Sequence, residues 1–253
     1  MEPASTRSVP SRAACLGETG CVLTLQNGIG NWEALAARLG TERVLAGSTY
    51  NSGASLGPGH VRHTNLGPTI IGETEGSLSA RANAFCEMLR SAGLPVEITA
   101  NVQGHIWSKF VLNCAINPVS AVTGLRPGEI ARTKSAAILL NSVVNEVLAV
   151  VEATGIVLPE EDPRKHIRDH CWERYNRPSM LQHIESGRRS EIDALNGALV
   201  DRAHAIGVPV PVNEAIVLLV KSLEASASRR SVQIDEAALE ALARASPRGD
   251  TWG

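Results

Sequence analysis

One apolar stretch, residues 104–117, constrains the fold of this 253-residue chain more than any other segment. It reads GHIWSKFVLNCAIN and carries Lys109, Asn113 and Asn117, each four residues after the last. At 3.6 residues per turn, these three side chains share one face of a helix. A stripe that faces solvent would carry more charge, and its flanks would be less apolar. The stretch therefore predicts a largely buried helix that directs an ammonium and two amides toward a polar group.

Lys109 has two interpretations. Burying an unpaired lysine is costly, so such a residue usually has a partner or a chemical task. The structural alternative is a lysine whose methylene groups cover the apolar helix while its ammonium reaches solvent. The residues alone leave both interpretations open.

The predicted elements change in kind near residue 100. Before it, strand-like runs at 21–26 and 44–50 alternate with a helical period at 32–39. Two further runs at 60–64 and 68–72 predict a hairpin, and a helix at 78–92 and a strand at 95–98 follow. Beyond it only helices are predicted, at 102–122, 135–154, 163–174, 179–187, 191–206 and 212–226. We expect an irregular N-terminus (1–20), an α/β domain (21–100), a helical domain (101–226) and a C-terminal tail (227–253).

Composition and charge exclude several classes of protein. A formal net charge of −2 with dispersed basic residues argues against a nucleic-acid surface. Five cysteines without a CxxC pair favour a reducing cytoplasm over a disulfide framework, and no cluster has metal-ligand spacing. His166 and His170 are helix-spaced, but their charged surroundings indicate a solvated face. No apolar run approaches the roughly 18 residues of a membrane span, and no signal-peptide core is present.

The turn NGIGN at 27–31 lies between a predicted strand and helix, where a dinucleotide fingerprint would lie. The third glycine position holds Glu33, and Tyr50 and Asn51 stand where a ribose-binding carboxylate would end the next strand. The pattern therefore argues against a pyrophosphate loop. Asn27 still closes a strand at the edge where α/β sheets collect ligands.

A second informative stretch, residues 176–196, reads NRPSMLQHIESGRRSEIDALN. Ser179 follows Pro178 at a predicted helix start, where its hydroxyl can face a ligand. Ser190 and Asp193 have the spacing of a capping box, which places Glu191 in the first helical turn. Capping alone explains these residues, but the Glu191 carboxylate is equally suited to pair with Lys109 or with a ligand hydroxyl. The sequence does not rank these readings.

Several of these motifs occur together in one known family. QNGIGN, the run GSTYNSGASLGPGHVRHTNLGPTIIGE, the pattern W-S-K-F-x-x-N-x-x-I-N-P and the segment RPSMLQHIESGRRSEIDALNGALVDRAHAIGVPVPVNE follow one another in the chain. In order and spacing, residues 21–225 resemble ketopantoate reductases (2-dehydropantoate 2-reductases). The resemblance implies a Rossmann-like α/β domain, here incomplete, followed by an all-helical domain of the 6-phosphogluconate-dehydrogenase-like type. It also implies reduction of 2-dehydropantoate to (R)-pantoate with NADPH, in the pantothenate route to coenzyme A.

The same resemblance assigns roles to particular residues. Lys109 matches the catalytic acid. Asn113, Asn117, Asn176 and Ser179 match substrate-binding positions. Asn27, Gly53 and Glu191 match positions on the cofactor side, Glu191 being expected to engage cofactor or substrate. No residue is assigned to a metal.

The resemblance does not extend to the family's opening strand and G-x-G-x-x-G turn. The expectation is therefore a fragment, a mis-started reading frame or a degenerate homologue that lacks part of the NADPH site. Two alternatives accompany it: a reductase of another 2-oxo acid, and a non-catalytic helical remnant that serves as a dimerisation module. The expected partner is a small 2-oxo acid in the cytoplasm, with a homodimer left open.

Overall fold

The computed structural model describes residues 16–17 and 20–230, with the side chains at 54–55 and 227–230 left out. The expectation of an irregular segment at 1–20 therefore lies almost wholly outside the described residues, as does most of the predicted tail at 227–253. The last described helix continues to Arg230, four residues past the predicted end of the helical domain.

The first half of the described chain is built on a four-stranded mixed sheet. Its strands run in the order β1 (Val22–Thr24), β2 (Val44–Thr49), β5 (Thr69–Glu73) and β6 (Val96–Ile98). β1 and β2 are parallel, β2 and β5 antiparallel, and β5 and β6 parallel. Helix α1 (Asn31–Leu39) connects β1 to β2, and α2 (Ala80–Ser91) connects β5 to β6. The strands β2 and β5 are almost wholly buried on both faces, as expected of central strands.

The predicted hairpin between 60–64 and 68–72 is wrong. β4 (His60–Asn65) pairs instead with β3 (Ser52–Gly57), a segment in which no strand was predicted, and the two form a separate antiparallel ribbon. β4 is exposed along its whole length because HVRHTN is polar on both faces. The run TIIGE lies instead between β2 and β6, where burial of Ile70 and Ile71 stabilises it and the Glu73 carboxylate pairs with Arg81.

Helices make up the second half of the described chain, as predicted. They are α3 (Val102–Thr123), α4 (Pro127–Arg132), α5 (Lys134–Ala153), α6 (Pro163–Glu173), α7 (Ser179–Glu185), α8 (Ala198–Ile206) and α9 (Pro211–Arg230). One large apolar cluster joins them around α3. The short helix α4 was not predicted, because the glycine and proline residues at 124–128 indicated a break there.

The helix predicted at 191–206 begins differently in the structure. A π-helical turn, Asp193–Gly197, precedes α8, and the Gly197 amide donates to the Ile192 carbonyl. The predicted capping box does not form, since the Asp193 carboxylate pairs with Arg189 and Lys221. The Ser190 hydroxyl accepts from the Ile192 amide. Glu191 therefore lies in a turn before the helix, outside a regular first turn.

Helix α5 is long and apolar enough to span a membrane by length and composition alone. In the fold it packs against α3 and α4 and contributes fully buried Val143, Val147 and Val150 to the helical cluster. The Glu146 carboxylate of α5 accepts from the backbone amides of Val212 and Asn213 at the start of α9. These contacts are those of a core helix in a folded domain.

Candidate active site

Lys109 lies between the sheet and the helical domain. It projects from α3, which packs across β2, and its side chain is half-buried. Its Nζ donates to the carbonyl oxygen of Thr49, the last residue of β2, at 2.5 Å. The same nitrogen is 5.6 Å from the centroid of the Tyr50 ring. The structure thus places this ammonium at the carboxyl end of a sheet strand, where α3 packs against the sheet.

Two further predicted residues meet beside Lys109. Asn27, just beyond β1, donates from Nδ2 to Oε2 of Glu191 at 3.4 Å. The Glu191 carboxylate is close enough to Lys109 to act on its protonation. Residues from the sheet, from α3 and from the turn before α8 therefore converge on one site.

The surroundings of Lys109 change the pKa of its ammonium. Burial lowers the pKa of the ammonium below its ordinary value of 10.5, and the Glu191 carboxylate acts in the opposite direction. A partly desolvated ammonium with a lowered pKa gives up its proton more readily than a lysine in water. Lys109 is therefore better suited to general-acid chemistry than a lysine in water.

Close backbone packing fixes the Asn27 loop against the helical domain. Gly28 is buried at φ +90°, and a Cβ at this position would lie 2.6 Å from the Ala194 carbonyl oxygen. The side-chain Nδ2 of Asn31 donates to the Asn27 carbonyl at 3.0 Å and closes the turn. Ile29 packs on the helical cluster. The glycine in QNG is thus needed for the approach that brings Asn27 to Glu191.

Asn113 and Asn117 follow Lys109 along α3. Asn113 is half-buried, and Asn117 is 9% exposed. Among the described residues neither side-chain amide has a hydrogen-bond partner. Both amides are therefore free to bind a ligand along this face of the helix.

The remaining predicted site residues stand apart from Lys109. Asn176 is exposed in the link between α6 and α7, and Ser179 is the exposed first residue of α7, which packs on α3. Gly53 is exposed in the β3–β4 ribbon, paired with His63. None of these three contacts Lys109 or Glu191 within the described chain, so their roles stay predictions.

Sequence reasoning missed three residues next to the site. The sequence pattern indicated Tyr50 only as a mismatch to a ribose-binding carboxylate, and it gave no role to Ser108 or Glu160. The Ser108 hydroxyl donates to Oε1 of Glu160 at 2.5 Å, across 52 residues of sequence. Tyr50 was detectable in principle, because it follows a strand at the ligand-binding edge of an α/β sheet. The contact between Ser108 and Glu160 has no sequence signal.

The site suits the nicotinamide end of a dinucleotide better than its diphosphate. The Asn27 amide and the Glu191 carboxylate offer hydrogen bonds to a carboxamide or a ribose hydroxyl beside Lys109. Glu33 lies in the first turn of α1, where its charge opposes a phosphate at the helix start. Within residues 20–230, the turn at 27–31 therefore does not fit a diphosphate.

Comparisons with known proteins converge on one family. The family model "Ketopantoate reductase PanE/ApbA" matches residues 5–76, and "Ketopantoate reductase PanE/ApbA C terminal" matches residues 101–224. A 2-dehydropantoate 2-reductase of Archaeoglobus fulgidus is 34% identical over 207 residues, which are 82% of this chain and 69% of that protein. A 2-dehydropantoate 2-reductase of Halobacterium salinarum is 32% identical and is covered to 71%, with 83% of this chain aligned.

Solved structures give the same result. The crystal structure of a PanE/ApbA family ketopantoate reductase from Ralstonia eutropha superposes with a TM-score of 0.80 at 34% identity. The match covers 88% of this chain and 73% of that protein. Both predicted halves, the Rossmann-like domain and the helical domain, are thus found in one solved fold.

Proposed function

The chain belongs to the ketopantoate reductase family, and from that premise we propose that it reduces 2-dehydropantoate to (R)-pantoate with NADPH. The observation that carries the proposal is the Lys109 ammonium, half-buried where α3 packs on β2 and within electrostatic reach of Glu191, which accepts from Asn27. Reduction of a keto acid needs a proton donor at the carbonyl oxygen, and Lys109 supplies one in partly desolvated surroundings.

Proton transfer by Lys109 completes the reduction. A bound reduced nicotinamide supplies the hydride, which no side chain can donate. As the carbonyl carbon gains a hydrogen, the π-electron pair of the C=O bond moves to oxygen, and the Lys109 ammonium stabilises that charge. Lys109 then transfers a proton to the oxygen, forms the hydroxyl of the product and remains as a neutral amine. The amine regains a proton from water.

Neutral amides are proposed to orient the substrate. Asn113 and Asn117 present unpartnered amides on the Lys109 face of α3, where they can bind the hydroxyl and carboxylate oxygens of a polar keto acid. We assign Asn176 and Ser179 to the same substrate from the family resemblance. Asn27, Glu191 and Gly53 are assigned to the cofactor side on the same grounds.

The proposed setting is the cytoplasm. Cys21, Cys86, Cys114 and Cys171, the cysteines of the described segment, are all free thiols. Unpaired thiols of this kind are typical of a reducing compartment.

A panel of 2-oxo acids tests the proposed substrate. With NADPH in excess, we expect kcat/KM to be highest for 2-dehydropantoate when NADPH absorbance is followed for it, pyruvate, 2-oxoisovalerate and phenylglyoxylate. A higher value for another member would replace the proposal with a reductase of that acid. Absence of turnover throughout, together with no heat on calorimetric titration with NADPH, would favour the non-catalytic dimerisation module.

The rate should depend on pH through Lys109. The acid must be protonated, and its pKa is lowered from 10.5 because of burial. kcat/KM reports the pKa of the free enzyme, so it should be constant at lower pH and decline on the alkaline side, with a midpoint below the ordinary lysine value. A profile of kcat/KM from pH 6 to 10.5 measures this decline. A flat profile to pH 10.5 would contradict the assignment.

A further inference from the structure

Tyr50 follows the last residue of β2 and is held firmly beside the candidate acid. Its amide donates to the Pro68 carbonyl at 2.9 Å, and its carbonyl accepts from Nδ2 of Asn65 at 2.7 Å. A Cβ at Gly67 would lie 2.6 Å from the Tyr50 Cβ, so only glycine leaves room for this arrangement. The ring face lies 5.6 Å from the Lys109 nitrogen.

The phenol end of Tyr50 faces the helical domain. Ser108, next to Lys109 on α3 and 5% exposed, lies close to the phenol and donates its hydroxyl proton to Glu160. Glu160 lies in the segment between α5 and α6. Burial raises the pKa of Tyr50 above its ordinary value, so the phenol stays neutral at physiological pH. The Tyr50 backbone is thus held by hydrogen bonds on the sheet side, and its phenol lies close to Ser108 of α3.

The ammonium has few other contacts at this site. The Thr49 carbonyl is neutral, and no carboxylate of the described residues lies within ion-pair distance of Lys109. Glu191 acts on it only through its charge, while its Oε2 accepts from Asn27. An aromatic face stabilises a cation over the neutral amine, and more strongly where water is displaced. The Tyr50 ring therefore opposes the effect of burial on Lys109.

We propose that Tyr50 is a positioning residue for Lys109, with its ring supporting the ammonium and the Ser108–Glu160 pair holding the ring. The proposal rests on the role given above to Lys109 as the acid of the reaction. The titratable groups that face this arrangement are Glu191, Glu160 and Tyr50. His63 bonds to Asn51 at the base of the β3–β4 ribbon, and His166 lies 4.0 Å from Glu160.

Direct titration of Lys109 tests the proposal without substrate or cofactor. The chain has four lysines, so [ε-¹³C]lysine labelling gives four side-chain signals, and Lys109→Arg identifies the one of interest. Tyr50→Leu should lower the pKa of Lys109 by about half a unit or more, whereas Tyr50→Phe, which keeps the ring, should leave it in place. Ser108→Ala should shift it in the same direction as Tyr50→Leu, by less.

The matched control is Tyr175→Leu, which removes the other tyrosine ring of the chain at a site packed on Gly128, away from Lys109. Its effect on the Lys109 signal should be negligible. A pKa that is unchanged or higher in folded Tyr50→Leu overturns the proposal. If Tyr50→Leu does not fold, Ser108→Ala decides: an unchanged pKa of Lys109 overturns the proposal, and a lowered pKa supports it. The titration measures no turnover, so its result can be interpreted even if the chain lacks the proposed activity.

Discussion

Replacing Lys109 with alanine should lower kcat/KM for 2-dehydropantoate by about 10³-fold. The ammonium is the proposed proton donor and also stabilises the charge that develops on oxygen. Each effect is typically worth about two orders of magnitude or more, and because one group supplies both they do not add in full. The loss should fall mainly on kcat, because these interactions strengthen in the transition state. Initial rates of NADPH oxidation at varied substrate concentration measure both constants.

Lys165→Ala is the matched control for this substitution. Lys165 is exposed on α6 and pairs with Asp169, so its removal should leave both constants unchanged. Lys109→Arg should remain strongly impaired, because the bulkier guanidinium does not give up a proton near neutral pH. A Lys109→Ala enzyme within tenfold of the unaltered chain would remove Lys109 from the proposed mechanism.

Replacing Gly28 with alanine should destabilise the protein by about 2–4 kcal/mol. Part of the cost is the positive φ of +90°, and part is the contact of the new Cβ with the Ala194 carbonyl oxygen at 2.6 Å. Backbone atoms cannot rotate away as a side chain can, so the Asn27 loop must move off the helical domain. Urea unfolding followed by circular dichroism should show a lower midpoint than for the unaltered chain.

Gly30→Ala separates the two costs. Gly30 has a similar φ of +82°, but a Cβ there would meet no atom within 4 Å. This variant should lose only about 1–2 kcal/mol, the cost of the left-handed backbone. Equal destabilisation of the two variants would show that the approach of Gly28 to Ala194 contributes nothing to stability.

Much of the fold was readable from periodicity. Helix α3 was predicted to within a residue at its end, because apolar residues dominate it and Gly124 stops it. The helices at 134–153 and 163–173 were equally clear, since capping and breaking residues bound them. Strand pairing could not be predicted from the sequence. β3 and β4 pair across a turn at Pro58-Gly59, and the glycine and proline residues around it suit an irregular loop equally well.

The candidate site divides in the same way. Lys109, Asn113 and Asn117 could be placed on one helix face, since a spacing of four is a local property. The meeting of Lys109 with Asn27 and Glu191 joins residues separated by 82 positions on each side, and no local rule brings them together. Family resemblance suggested the grouping, and packing of the Gly28 turn on Ala194 provides its physical cause.

The sequence by itself determined which segments are helix or strand and which face of α3 carries polar groups. Both follow from interactions among residues a few positions apart. Only the tertiary structure decided that the carboxyl end of β2 meets α3, so that Thr49 and Tyr50 enclose the Lys109 nitrogen. That contact depends on how two apolar surfaces pack. The hydrophobic effect drives their association but has no direction, so the complementary shapes of the surfaces determine which residues meet.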